Sequence, residues 1–123
     1  LQRSARAHAR GLREWLVAEH RSGRTVLAYG AASRAVALLR EASVDRTLLP
    51  AVVDASPAKQ GSRMPGTNIP IVSPARLLAS RPDTVLLLVS DLLAEVRSAF
   101  PEVEASGARW VDSEKVVSHP AGG

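Results

Sequence analysis

The chain has 123 residues, 46% of them hydrophobic, and a formal net charge of +4. A chain of this size buries roughly two-thirds of its unfolded surface, enough for one domain with a real core. It has no cysteine, which excludes a disulfide framework, a thiolate zinc site and a cysteine nucleophile, and fits a reducing cytoplasm.

Residues 1–21 predict an amphipathic helix. Leu1, Ala5, Leu12, Trp15 and Leu16 share one face, and Arg3, Arg6, Arg10 and Arg13 the other. Ser22-Gly23 is a stop signal. Residues 1–24 hold six arginines against two glutamates, while the remainder balances ten basic with ten acidic residues. The basic character therefore belongs to the leading segment, and the net charge alone does not point to nucleic acid. The arginine face is either solvated or meets an anionic partner. The helix begins without a cap, as in a piece of a longer protein. Residues 1–23 are expected to form a connection from an upstream domain, 24–118 a folded domain, and 119–123 a flexible tail.

Thr25 to Tyr29 predicts a strand, Gly30 a turn, and Ala32 to Ala42 a helix. Leu48 to Val53 is a second strand with Pro50 near its start, and Ile69 to Val72 a third, weakened by Pro70. Between them, Lys59 to Asn68 is a polar loop rich in Gly and Pro. Ser73-Pro74 reads as an N-cap with proline at the first helical position, opening a helix to about Ser80. Thr84 to Val89 is the most apolar run and a central parallel strand. Asp91 is expected to cap a helix reaching Phe100, and Gly107 to Val111 forms a last strand. Strands alternating with helices predict parallel pairing with right-handed crossovers. The fold expected is an α/β Rossmann-like three-layer sandwich with a mostly parallel sheet of about five strands.

In such a sheet, ligands sit beyond the carboxyl ends of the strands. The first loop, Gly30-Ala31-Ala32-Ser33-Arg34-Ala35, keeps the first glycine of a dinucleotide fingerprint but has Ala32 at the second. A methyl there holds the backbone away from a pyrophosphate. The helix N-terminus still offers free N–H groups, and Ser33 and Arg34 add a hydroxyl and a guanidinium. The loop is a dinucleotide site, another anion site or a plain turn. Asp54 lies 24 residues after Gly30, the position of an acid that would hold a ribose; it is equally a strand-end turn residue with Ser56-Pro57. Lys59, one of two lysines, and Gln60 lie in a loop at the ligand edge and suggest a phosphate or sugar contact, which Arg63 would join. Thr67, in a Pro65-Gly66-Thr67 turn, offers a hydroxyl. His8, His20 and His119 have no metal-ligand spacing, and no catalytic motif occurs. Asp91 and Glu95, one helical turn apart, are explained by capping and solvation.

Three segments carry a resemblance: Ala28-Tyr29-Gly30-Ala31-Ala32-Ser33-Arg34, Val52-Val53-Asp54-Ala55-Ser56-Pro57-Ala58-Lys59-Gln60-Gly61 and Pro65-Gly66-Thr67-Asn68-Ile69-Pro70-Ile71. Together they resemble the C-terminal domain of the sugar C-methyltransferases, over nearly the whole chain. Those enzymes use S-adenosylmethionine to methylate a carbon of a nucleotide-linked deoxysugar. The resemblance implies a three-part parent, with a zinc-binding part and a methyl-donor domain upstream and the nucleotide-sugar in a cleft against this domain. It implies substrate contacts at Gly30, Ala31, Ser33, Arg34, Asp54, Lys59, Gln60 and Thr67. It also implies no catalytic residue, metal or cofactor held here, with the sugar nucleotide and its own upstream domain as partners. No apolar run approaches the ~20 residues of a membrane span, so neither membrane nor nucleic acid is an expected partner, and the location expected is cytoplasmic. Three positions depart from the family pattern. Arg34 replaces a lysine, Ala35 a glycine, and Asp91 an asparagine, and an acid at Asp91 would repel a phosphate. The alternatives are a free-standing NAD(P)- or CoA-type nucleotide-binding domain, against which Ala32 weighs, and a non-catalytic packing scaffold.

Overall fold

A computed structural model describes residues 2–116, with side chains from residue 5 onward. Leu1, the side chain of Arg3, His119 and the expected tail lie outside the described residues. The strands are β1 (Val26–Tyr29), β2 (Val52–Val53), β3 (Ile71–Val72), β4 (Thr84–Leu87) and β5 (Arg109–Asp112). The helices are α1 (Gln2–Arg21), α2 (Ser33–Glu41), α3 (Pro74–Ser80), α4 (Leu93–Ala99) and α5 (Pro101–Ala105). The sheet runs β3-β2-β1-β4-β5, and every pairing is parallel. This is the expected α/β sandwich.

Strand alternation divides the core in two. Val26 and Ala28 of β1 and Leu86 of β4 pack under α1 and α2 with Leu12, Leu16, Leu39 and Val52. Leu27, Tyr29, Val85 and Leu87 face the other way, against Leu77 of α3, Val96 of α4 and Val103 of α5. β1 and β4 are thus buried on both faces, as parallel strands between helical layers must be.

The leading helix is part of this core. Ala9, Leu12, Trp15 and Leu16 are buried, while Ala5, expected on the same face, is exposed. Arg6, Arg10 and Arg13 are exposed. Arg13 reaches the far end of α2 and donates to the carbonyls of Ala42 and Ser43 at 3.3 and 2.6 Å, a cation at a helix C-terminus where the dipole favours it. Glu19 is fully buried on α1 and accepts from Arg24 Nε and Nη2 at 3.0 and 2.8 Å, with Arg109 at 3.8 Å. The bond to Glu19 holds the Arg24 guanidinium above its ordinary pKa, and Glu104 does the same for Arg97.

Several local expectations are corrected. Neither Ser73 nor Asp91 caps a helix with its side chain. At Ser73 the backbone carbonyl takes the Arg76 N–H instead, at 3.0 Å. Asp91 lies inside a 3-10 turn, Ser90–Leu92, that intervenes before α4. The helix expected to run to about Phe100 ends there, at Ala99, but Pro101 then opens a separate, unexpected α5 at the position where proline's missing N–H costs nothing. β2 and β3 shrink to two residues each, close behind Pro50 and Pro70. Beyond β3 the polar loop folds back along the sheet edge. Ser62 O accepts from Ile71 N–H at 2.8 Å, Ile71 O from Gly61 N–H at 3.0 Å, and Ile69 O from Met64 N–H at 2.8 Å, with Arg63 and Pro70 bridged antiparallel.

Candidate functional site

Strand order reverses between β1 and β4, so the loops after these two strands diverge there and leave a crevice beyond their carboxyl ends. Gly30 turns the chain at the end of β1. Its φ is +107°, and a Cβ added to it would lie 2.6 Å from Cγ2 of Val89 in the loop after β4. The glycine is therefore required by contact between the two loops as well as by the left-handed turn. Its N–H extends the ladder to Val53 O at 2.8 Å.

The next loop is tied to this one from behind. Asp54 Oδ2 accepts the Ala31 N–H at 2.8 Å, and Oδ1 accepts the Ser56 N–H at 2.8 Å. Lys59 Nζ donates to Ala31 O at 3.1 Å, and Gln60 Nε2 donates to Asp54 O at 2.8 Å. Both sides of Ala31 are thus held, its N–H by a carboxylate and its carbonyl by an ammonium. The same Asp54 charge, added to burial as the larger cause, pushes the Tyr29 phenol above its ordinary pKa. On the opposite face that ring meets Phe100 and Trp110, with centroids 5.7 and 6.1 Å away.

In front lies a groove of about 650 Å³. The amino end of α2 lines it with Ala32, Ser33 and Arg34, the β4 loop with Val89, Ser90 and Asp91, and the turn after β5 with Ser113 and Glu114. His8 of α1 closes it from above. The first three N–H groups of α2 have no partner within the helix, and Ala32 supplies no side-chain cap. Arg34 stands beside them; the carboxylates of Asp91 and Glu114 come from the other two loops.

The expected site residues thus fall into three places. Ser33 and Arg34 line the groove. Gly30, Ala31, Asp54, Lys59 and Gln60 build and brace the turn behind it. Thr67 is elsewhere: with Arg40 and Ser43 it lines a hollow at the carboxyl end of α2, its hydroxyl donating to Met64 O at 2.9 Å and accepting from Ile69 N–H at 3.1 Å. His8, Ser90, Ser113 and Glu114 also line the groove and were not expected there. Asp91, which also lines the groove, was legible as a departure from a pattern. His8 was not, because its partner is 105 residues away: Nε2 lies 2.6 Å from Ser113 O.

Lys59 now has a structural duty. Lys59→Ala is expected to lower stability by about 0.5–1 kcal/mol, a charged hydrogen bond discounted for its exposed setting. Lys115→Ala, an exposed control, should stay within ~0.5 kcal/mol. Urea denaturation of both variants separates these outcomes, and equal midpoints would mean that the Ala31 contact holds nothing.

The family model described as the C-methyltransferase C-terminal domain matches residues 1–113. C-methyltransferase NovU of Streptomyces niveus is 33% identical over 106 residues, which are 86% of this chain and 24% of that protein. The chain spans about a quarter of the length of this relative.

Proposed function

The chain belongs to the C-methyltransferase C-terminal domain family, and on that premise we propose that it forms one wall of the substrate cleft in a longer S-adenosylmethionine-dependent enzyme. The substrate is a nucleotide-linked deoxysugar. The observation that carries the reading is the groove at the strand reversal, where the unpaired amides of α2 stand beside Ser33 and Arg34. A diphosphate fits that combination of free N–H groups, helix dipole and guanidinium. Gly30 and Ala31 form the turn that sets these groups. Asp54, Lys59 and Gln60 hold it in place, and the ammonium of Lys59, with one of its three protons on Ala31, keeps two for a ligand.

The methyl donor and the zinc belong to the rest of the longer protein, and this piece does not catalyse methyl transfer alone. Its loops do not suit an adenosine. Asp54, the acid placed for a ribose, is engaged by the turn instead, each of its oxygens accepting a backbone N–H. The same engagement weighs against an NAD-type domain.

Titration of the chain with thymidine diphosphate, followed by NMR, should move the amides of residues 32–35 and 89–91. Calorimetry with S-adenosylmethionine should give no micromolar binding, which would amount to about −8 kcal/mol. Shifts confined to the arginine face of α1, or tight donor binding, would overturn the reading.

A further inference from the structure

The groove has a hydrogen-bonding polarity that nothing in the chain's local sequence announces. The carbonyl of Ser113 can only accept, so the neutral His8 ring must carry its hydrogen on Nε2, which leaves Nδ1 as a bare acceptor. Ser90 is likewise committed. Its hydroxyl donates to Asp112 Oδ1, which also accepts the Glu114 N–H at 2.9 Å. What Ser90 still offers the groove is lone pairs. Asp91 and Glu114 add carboxylates on the same loops. The donors come from a different element, on Ser33, Arg34 and the amides of α2.

We infer that His8 is a sugar-binding residue: with Ser90 it forms an acceptor wall that selects a substrate whose sugar presents hydroxyl or amino hydrogens to it, while the phosphates lie at the α2 end. This rests on the cleft reading above and orients the ligand within it. A phosphate, which brings only acceptors at neutral pH, is excluded from the His8 end. A sugar stripped of donors on that side leaves Nδ1 and Ser90 Oγ without partners in a half-buried setting, and loses affinity. His8 comes from α1, so the helix that completes the core also completes the groove.

The test uses the full-length protein that contains this chain, with thymidine diphosphate and thymidine diphosphate glucose as probes. His8→Phe keeps a ring of similar shape and removes the acceptor, together with the bond to Ser113 O. Thymidine diphosphate should bind this variant as it binds the wild type, within twofold. Thymidine diphosphate glucose should bind about three- to tenfold more weakly, the range of one hydrogen bond, in a protein whose cooperative melting shows it folded. On the wild-type protein, glucose analogues with single hydroxyls replaced by fluorine supply a readout that needs no variant. At least one should lose a similar factor, and that loss should vanish in His8→Phe. If both probes weaken equally, or no fluorinated analogue discriminates, the acceptor wall is wrong and the cleft stands. If neither probe binds the wild type, the cleft reading falls and the inference falls with it.

Discussion

Gly30→Ala is expected to destabilise the chain by roughly 2–4 kcal/mol, from two separable sources. The first is backbone strain, because φ is +107° there and an L side chain resists that region. The second is overlap. The new methyl would sit 2.6 Å from Val89 Cγ2, on a β-branched side chain with little freedom to turn away. The two sources predict a specific pattern in a double-mutant cycle. Val89→Ala on the Gly30→Ala background should recover the steric part and leave the strain. Thermal or urea unfolding of the four proteins measures it. Gly30→Ala unfolding with the wild type would mean that the two loops do not meet as described. Even partial accommodation would push Val89 into the groove, so ligand binding should weaken more than stability does.

Leu16→Ala should cost about 2–5 kcal/mol, the usual range for emptying a fully buried leucine site. Whole domains are stable by only about 5–15 kcal/mol, so this is a large share. The comparison that gives the number meaning is Leu78→Ala. Leu78, 36% exposed on α3, should change stability by no more than ~0.5 kcal/mol. A Leu16→Ala loss under 1 kcal/mol would show that α1 is laid on the domain without being a layer of it. The functional consequence is direct. His8 rides on α1, so loosening the helix withdraws one side of the groove, and sugar affinity should fall along with the melting temperature.

The parts of the structure that were legible in the sequence are those set by short-range rules. The continuous apolar run of Thr84–Val89, the Gly30 turn and the leucines of α1 each declare themselves within a few residues. The three-layer order follows from them, because parallel strands need helical crossovers. The errors arose where two local rules competed. At Phe100-Pro101 a proline that ends one helix also starts another, and only the ending was read. At Asp91 a capping residue was displaced by a 3-10 turn that no composition cue marks. The groove was half legible. Ser33 and Arg34 line it because helix amino ends are readable. Asp54 and Lys59 lie in the loop after β2, as read, but their bonds to Ala31 depend on how two loops lie against each other. His8 is the extreme case: its meaning comes from a carbonyl at the other end of the chain.

The fold-back of residues 61–64 along β3 bears on how this chain behaves in crowded solution. An open strand edge is a template on which a second molecule can polymerise. Here the outer N–H and C=O of Ile71 are already occupied by Ser62 and Gly61, so the sheet cannot grow on that side. Among the described residues the other flank, β5, is the one strand edge without a neighbour. It is four residues long and carries Arg109 and Asp112 at its two ends. A second copy adding in parallel register would stack like charges on like at both positions, and one in antiparallel register would have to form its bonds over a very short span. The loop drawn out by Gly61 and Pro65 therefore does more than join two strands: it closes the β3 border of the sheet to edge-on addition.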